Sequence, residues 1–87
     1  MSTIELMQER LASLEPEVVE IGDDSAKHAG HEGAKGGGGH YNLTIVSPQF
    51  IGKLTVARHR MIYKSLGDLM QSKIHALSIR AYAPGEI

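Results

Sequence analysis

Near the start of the chain, Ile4, Met7, Leu11 and Leu14 follow one another by three or four positions, the period of one helix face. Ser2 and Glu5 stand ahead of them as a capping box, in which a hydroxyl and a carboxylate satisfy N–H groups that the first turn leaves free. Pro16 ends this helix, because the residue before a proline is pushed out of the α region. The period then changes. Glu17–Ile21 is short and rich in β-branched residues, which predicts a strand. Tyr41, Leu43 and Ile45 alternate with Asn42, Thr44 and Val46, a second strand with one apolar face. A helix follows from about Thr55 to Lys73, with a stripe of Ile62, Tyr63, Leu66, Leu69 and Met70 that His59 extends one turn upstream. Gly67 weakens that helix by about 1 kcal/mol relative to alanine and marks a bend or a second short helix. His75–Tyr82 reads as a third strand, with Leu77, Ile79 and Ala81 on one face, and Ala83-Pro84-Gly85 ends it.

The order is therefore α-β-β-α-β. The first two strands pair as an antiparallel hairpin, and a strand–helix–strand unit crosses over to a parallel neighbour. This predicts a single α+β domain over residues 1–87, with a three-stranded mixed sheet and helices on one face. A chain of this length has room for one small core.

The connection between the first two strands, about 22–39, is too long for an ordinary hairpin. Structureless connections beyond about 12–15 residues are generally functional or disordered. This one is rich in glycine and carries His28 and His31, with His40 at its end. Glycine lacks the Cβ that restricts φ, so a histidine set among glycines is not placed there for packing.

Cysteine is absent. That excludes disulfides, a thiol nucleophile and any all-cysteine iron–sulfur or zinc site. A soft-metal site must be built on imidazole or borrow thiolates from another molecule. The series His28-x2-His31-x8-His40 gives little support to an independent zinc site, having neither cysteine nor a helix to fix its spacing. Catalysis is not expected: there is no acid pair, no nucleophile-and-base arrangement, and the glycine run is not a dinucleotide fingerprint. No apolar run approaches the roughly 20 residues that span a bilayer, and the first ten residues do not resemble a signal peptide. A cytoplasmic protein without membrane contact is expected.

The blocks Phe50-x-Gly52-Lys53, Arg58-His59-Arg60-Met61-x-Tyr63 and His75-Ala76-Leu77-Ser78-Ile79 followed by Pro84 resemble the BolA family. Asp23-Asp24-Ser25-Ala26-Lys27-His28 resembles that family's acidic-Ser-x-x-His segment between the first two strands. The resemblance implies the same α-β-β-α-β sandwich, related to class II KH domains. It also implies a partner, a monothiol glutaredoxin, with which a BolA-like protein shares a [2Fe–2S] cluster. In that arrangement the glutaredoxin and a bound glutathione supply thiolates, and the BolA-like chain supplies histidine. The family's ligand positions fall here on His75 and on the loop residue His28, with His31 as the alternative. From the residues alone, a lone histidine at position 75 is more often a structural group than a ligand. The resemblance further implies a chain that is monomeric and free of cofactor when purified alone, and heterodimeric with its partner.

Charge adds a second reading, because it is unevenly spread. Residues 1–24 hold seven acids and one base, whereas residues 51–80 hold six bases and one acid. Lys53, Arg58, Arg60 and Lys64 mark a basic side of the second helix. Successive helical residues diverge by about 100°, so Arg58 and Arg60 are expected on either side of a half-buried, backbone-bonded His59, available to a carboxylate, a glutathione or a phosphate. BolA-like proteins have also been described as transcriptional regulators, so weak, salt-sensitive DNA binding is the alternative function. It cannot use the KH clamp, since Gly52-Lys53-Leu54-Thr55 lacks the second glycine of GXXG. Nor can it be a helix-turn-helix, since a strand follows the second helix.

Overall fold

The computed structural model describes residues 1–25 and 38–87. The candidate ligands His28 and His31 lie outside these residues. Helix α1 spans Thr3–Leu11, and both halves of its capping box are made: Ser2 Oγ accepts from the Glu5 N–H at 3.1 Å, and Glu5 Oε1 accepts from the Ser2 N–H at 3.0 Å. A 3-10 turn, Ala12–Leu14, continues it, and Glu15 adopts a left-handed conformation that swings the chain toward Pro16. Strand β1 is Val18–Asp23 and strand β2 is Gly39–Val46. After a 3-10 turn at Pro48–Phe50 come helix α2, Thr55–Leu66, the short helix α3, Leu69–Ser72, and strand β3, Ile74–Tyr82.

The sheet has three strands in the order β1-β2-β3, with β1 antiparallel and β3 parallel to the central β2. This is the mixed sheet that the sequence pattern predicts. Tyr41, Leu43 and Ile45 face a core that also takes Met7 and Leu11 from α1, Phe50, and Ile62 and Leu66 from α2. Each such large apolar side chain contributes about 1.5–3 kcal/mol on burial. Helices therefore cover one face, while Asn42 on the other face is exposed. Arg10 fixes α1 to α2: its Nη1 donates to the Leu66 carbonyl at 3.0 Å and to Asp68 Oδ1 at 2.8 Å.

Two expectations change, and a third, at Gly67, is decided between its alternatives. The strands run further into the long connection than the alternation of apolar residues shows, because backbone pairing of Gly22 with Asn42 and Asp23 with Tyr41 needs no apolar side chain. The second helix is divided at Gly67, whose φ of +56° no helical residue adopts, so α3 is the separate short helix. The inward line of α2 is Arg58, Ile62 and Leu66, not one running through Tyr63. Tyr63 lies one residue, about 100°, past Ile62 and is 41% exposed.

Arg58 is the largest correction. It was expected on the surface as a partner or nucleic-acid contact, but it is only 9% exposed and is spent on the fold. Its Nε donates to the Lys53 carbonyl at 2.9 Å and its Nη1 to the Ala81 carbonyl at 3.1 Å. A bidentate pair joins it to Glu86, with Nη1–Oε1 at 2.6 Å and Nη2–Oε2 at 2.9 Å. The guanidinium carbon also sits 5.9 Å from the centre of the Phe50 ring. A planar fork with this many donors can be buried because acceptors surround it. The arrangement ties α2 to the end of β3 and to the C-terminal segment.

Candidate functional site

Two strand ends meet beside the connection. Gly39 pairs with Ile74, but His40 pairs with Ala76, so β3 takes two steps where β2 takes one. His75 is the extra residue, in a β-bulge. Bulges bend a strand and re-aim side chains, and they concentrate next to functional sites. Here the bulge leaves the His75 side chain exposed although the residues on either side of the strand's start are held by Ile74 in the core and by pairing at Ala76. Gly38 makes the bulge sterically feasible: with φ at +80°, a Cβ there would lie 3.2 Å from the His75 backbone nitrogen and 3.3 Å from its Cβ.

The other strand end is fastened by the acidic-serine segment. The Ser25 hydroxyl accepts from the His40 N–H at 3.1 Å, and the His40 carbonyl accepts from the Asp24 N–H at 2.7 Å. Ser25 is itself set by Asp23, whose Oδ1 accepts the Ser25 N–H at 2.9 Å. The Ser25 side-chain and backbone hydrogen bonds hold the Asp23 carboxyl below its usual range. Asp24 Oδ2 accepts from Asn42 Nδ2 at 2.6 Å. The sequence Asp23-Asp24-Ser25 thus has a backbone-locking role, which its resemblance to a family segment did not explain.

The result is a pair of imidazoles. The rings of His40 and His75 have centroids 5.1 Å apart and planes inclined by 39°. A hollow lined by Asp24, His40, Tyr41, Ala76, Leu77 and Ser78 opens beside them. The sequence pattern points to His75 and places His40 at the start of a strand and at the end of a weak zinc series, without pairing the two. The overlooked signal was the parallel register: with Tyr41 opposite Leu77, the histidine that precedes each strand's apolar run falls at the same end of the sheet. Among the described residues, no group of three or more histidine, aspartate or glutamate side chains is arranged to hold a metal ion. A metal held at His75 would therefore need ligands from beyond the described residues.

The basic side of α2 is separate and smaller than expected. Lys53, Arg60 and Lys64 are exposed, and Arg58 is withdrawn from it. The exposed apolar side chains Ile51, Leu54, Val56 and Tyr63 are interspersed with these bases in sequence. His59 is half-buried, and its ring makes no hydrogen bond among the described residues, so the backbone partner expected for it is not found there. Among the described residues no helix is long and apolar enough to cross a membrane.

A sandwich of this topology, with an exposed histidine at the start of its last strand, defines a class, and comparison with known proteins gives the family. The family described as BolA-like protein matches residues 11–86, and the chain belongs to it. SufE-like protein 1, chloroplastic/mitochondrial, of Arabidopsis thaliana is 47% identical over 79 residues, which cover 85% of this chain and 21% of that protein. The chain thus spans about a fifth of that relative's length. The solved BolA domain of SufE1 from Arabidopsis thaliana superposes with a TM-score of 0.85 at 43% identity, covering 100% of this chain and 98% of that one. The DNA-binding transcriptional regulator BolA of Escherichia coli is 33% identical over 79 residues, covering 90% of this chain and 72% of that protein.

Proposed function

We propose that this chain is the histidine-donating partner of a monothiol glutaredoxin, sharing a [2Fe–2S] cluster with it in iron–sulfur assembly, transfer or sensing. The observation that carries the reading is the exposed His75, set in a backbone bulge at the end of the sheet. The donor set fits. Neutral imidazole is a borderline ligand suited to iron, and a chain without cysteine must leave the thiolates to the glutaredoxin and its glutathione. The second imidazole from this chain is assigned to the loop, to His28 or to His31, both outside the described residues. The cluster, when bound, supplies one-electron redox chemistry, and imidazole in place of thiolate raises its potential. The residues of this chain do something simpler: the Asp24–Ser25–His40 bonds and the bulge hold the backbone from which His75 projects.

The test is to mix the chain with a cluster-loaded monothiol glutaredoxin and record absorbance and circular dichroism between roughly 300 and 600 nm, where thiolate-ligated clusters absorb. A heterodimer with an altered spectrum is expected, and His75→Ala should abolish the alteration. An identical spectrum with and without His75 would overturn the assignment. Separate His28→Ala and His31→Ala variants identify the loop donor.

A DNA-binding regulator is the second reading, supported by the name of the Escherichia coli relative and by the exposed Lys53, Arg60 and Lys64. A gel shift at two salt concentrations discriminates, because phosphate contacts weaken steeply with salt. Arg60→Gln with Lys64→Gln should remove the shift, and absence of any shift at low salt eliminates the reading.

A further inference from the structure

We propose that His40 and His75 together bind one divalent transition-metal ion on the isolated chain, with zinc as the representative. The two rings lie on adjacent parallel strands with centroids 5.1 Å apart. Zinc–nitrogen bonds of about 2.0–2.1 Å put an imidazole ring centre roughly 3 Å from the metal, so two imidazoles at a tetrahedral angle have centres about 5 Å apart. The observed separation matches that spacing, which also falls within the range of ordinary ring contact, about 4.5–7 Å.

The backbones that carry the two rings are held in place. The His40 backbone is held on both sides, by Ser25 Oγ at its N–H and by the Asp24 N–H at its carbonyl. The His75 backbone is held in the bulge, while its exposed ring is at liberty to turn about its own side-chain bonds. Donors on rigid strands with one adjustable ring lose little entropy on binding, unlike donors on a glycine-rich connection. Asp24 lines the hollow next to His40 and contributes negative charge on that side. Imidazole is the common ligand of zinc, copper and nickel, and water completes a site that offers only two protein donors.

The proposal stands apart from the shared cluster, except in one consequence that rests on that reading. His75 belongs to both sites, so an ion held by the pair and a cluster held with glutaredoxin exclude each other on the same chain.

Zinc chloride titrated calorimetrically into the full chain, with no glutaredoxin present, tests the pair directly, and cobalt(II) gives the same site a visible spectrum. One equivalent per chain is expected. His40→Gln and His75→Gln should each weaken binding about tenfold or more, a loss of the size that a missing ligand or its support causes. The double variant His28→Ala with His31→Ala should bind as the parent does. In the unsubstituted chain, the imidazole carbon resonances of His40 and His75 should shift together on zinc addition, a readout that needs no variant to fold. No saturable binding, binding insensitive to His40→Gln, loss of binding only in the loop variant, or a shift of one ring without the other would each overturn the proposal. None of these outcomes depends on whether a glutaredoxin complex forms.

Discussion

Replacing Ser47 by alanine removes a hydroxyl that holds two parts of the fold at once. Ser47 is fully buried at the end of β2. Its Oγ donates to the Leu14 carbonyl at 2.6 Å, closing the turn after α1 onto the sheet, and accepts from the Gln49 N–H at 3.1 Å, capping the turn at Pro48–Phe50. Alanine keeps the backbone bond from the Ser47 N–H to the Tyr82 carbonyl but loses both hydroxyl bonds. A buried acceptor left unpaired costs about 1–3 kcal/mol, and loss of a cap about 0.5–2 kcal/mol. Because one hydroxyl serves both partners, the terms overlap, and a total of about 2–3 kcal/mol is expected. For a chain of this size 1 kcal/mol corresponds to about 4–8 °C in Tm, so melting should fall by roughly 10–20 °C. The assay is urea unfolding followed by far-ultraviolet circular dichroism, since the chain has no tryptophan to report by fluorescence. With a slope of about 1–3 kcal/mol/M the midpoint should drop by about 1 M or more. Ser13→Ala is the control: that hydroxyl is exposed and bonds the Arg10 carbonyl and Ser65 Oγ, both at 3.1 Å, so its loss should stay within about 0.5 kcal/mol. A Ser47→Ala variant no less stable than Ser13→Ala would refute the reasoning.

Other consequences are more local. The hydrogen bonds from Arg58, and then the Ala83 N–H, hold the Glu86 carboxyl down to about 2 from an ordinary 4.5. A lowered folded-state value stabilises above the ordinary carboxylate range and is lost as pH falls through about 2, so thermal melts across that window should show an acid limb that Glu86→Gln flattens. Arg58→Gln should lower Tm whereas Arg60→Gln should not; equal melts for the two would mean that the buried guanidinium contributes nothing. Gly38→Ala should cost about 1–2 kcal/mol for the left-handed backbone and crowd His75. Unchanged melting with unchanged His75 resonances would show the bulge to be indifferent to that contact.

What could be read in advance depended on the range of the interaction. The capping box of Ser2 and Glu5 spans three residues, and the alternation of Tyr41, Leu43 and Ile45 lies within one strand, so both were legible. Arg58 was not. Its carbonyl acceptor at Ala81 and its carboxylate at Glu86 lie 23 and 28 residues away, and without them an arginine in the same stretch as Lys53, Arg60 and Lys64 reads as surface. The stripe through Tyr63 failed for the same reason, since a buried arginine took the inward place that its polarity seemed to forbid. The His40–His75 pair rests on a parallel register with an inserted residue, and a one-residue change in pairing has no local signature.

Under the proposed function, a chain with nitrogen donors and no thiolate serves a metal that another molecule brings. Such a donor needs a fixed point of attachment and a ring free enough to meet an external geometry. The bulge supplies both, because the strand is anchored through Ile74 in the core and through pairing at Ala76, while the residue between them is left out of the ladder. The far end of the same strand is fastened by Arg58 through the Ala81 carbonyl and Glu86, so the strand cannot slide to relieve a pull on His75. Withdrawing Arg58 from the surface in turn narrows the basic face to Lys53, Arg60 and Lys64. Anchorage of β3 and exposed charge on α2 therefore draw on different arginines. Their substitutions should separate accordingly, with loss of Arg58 read in stability and loss of Arg60 read in association.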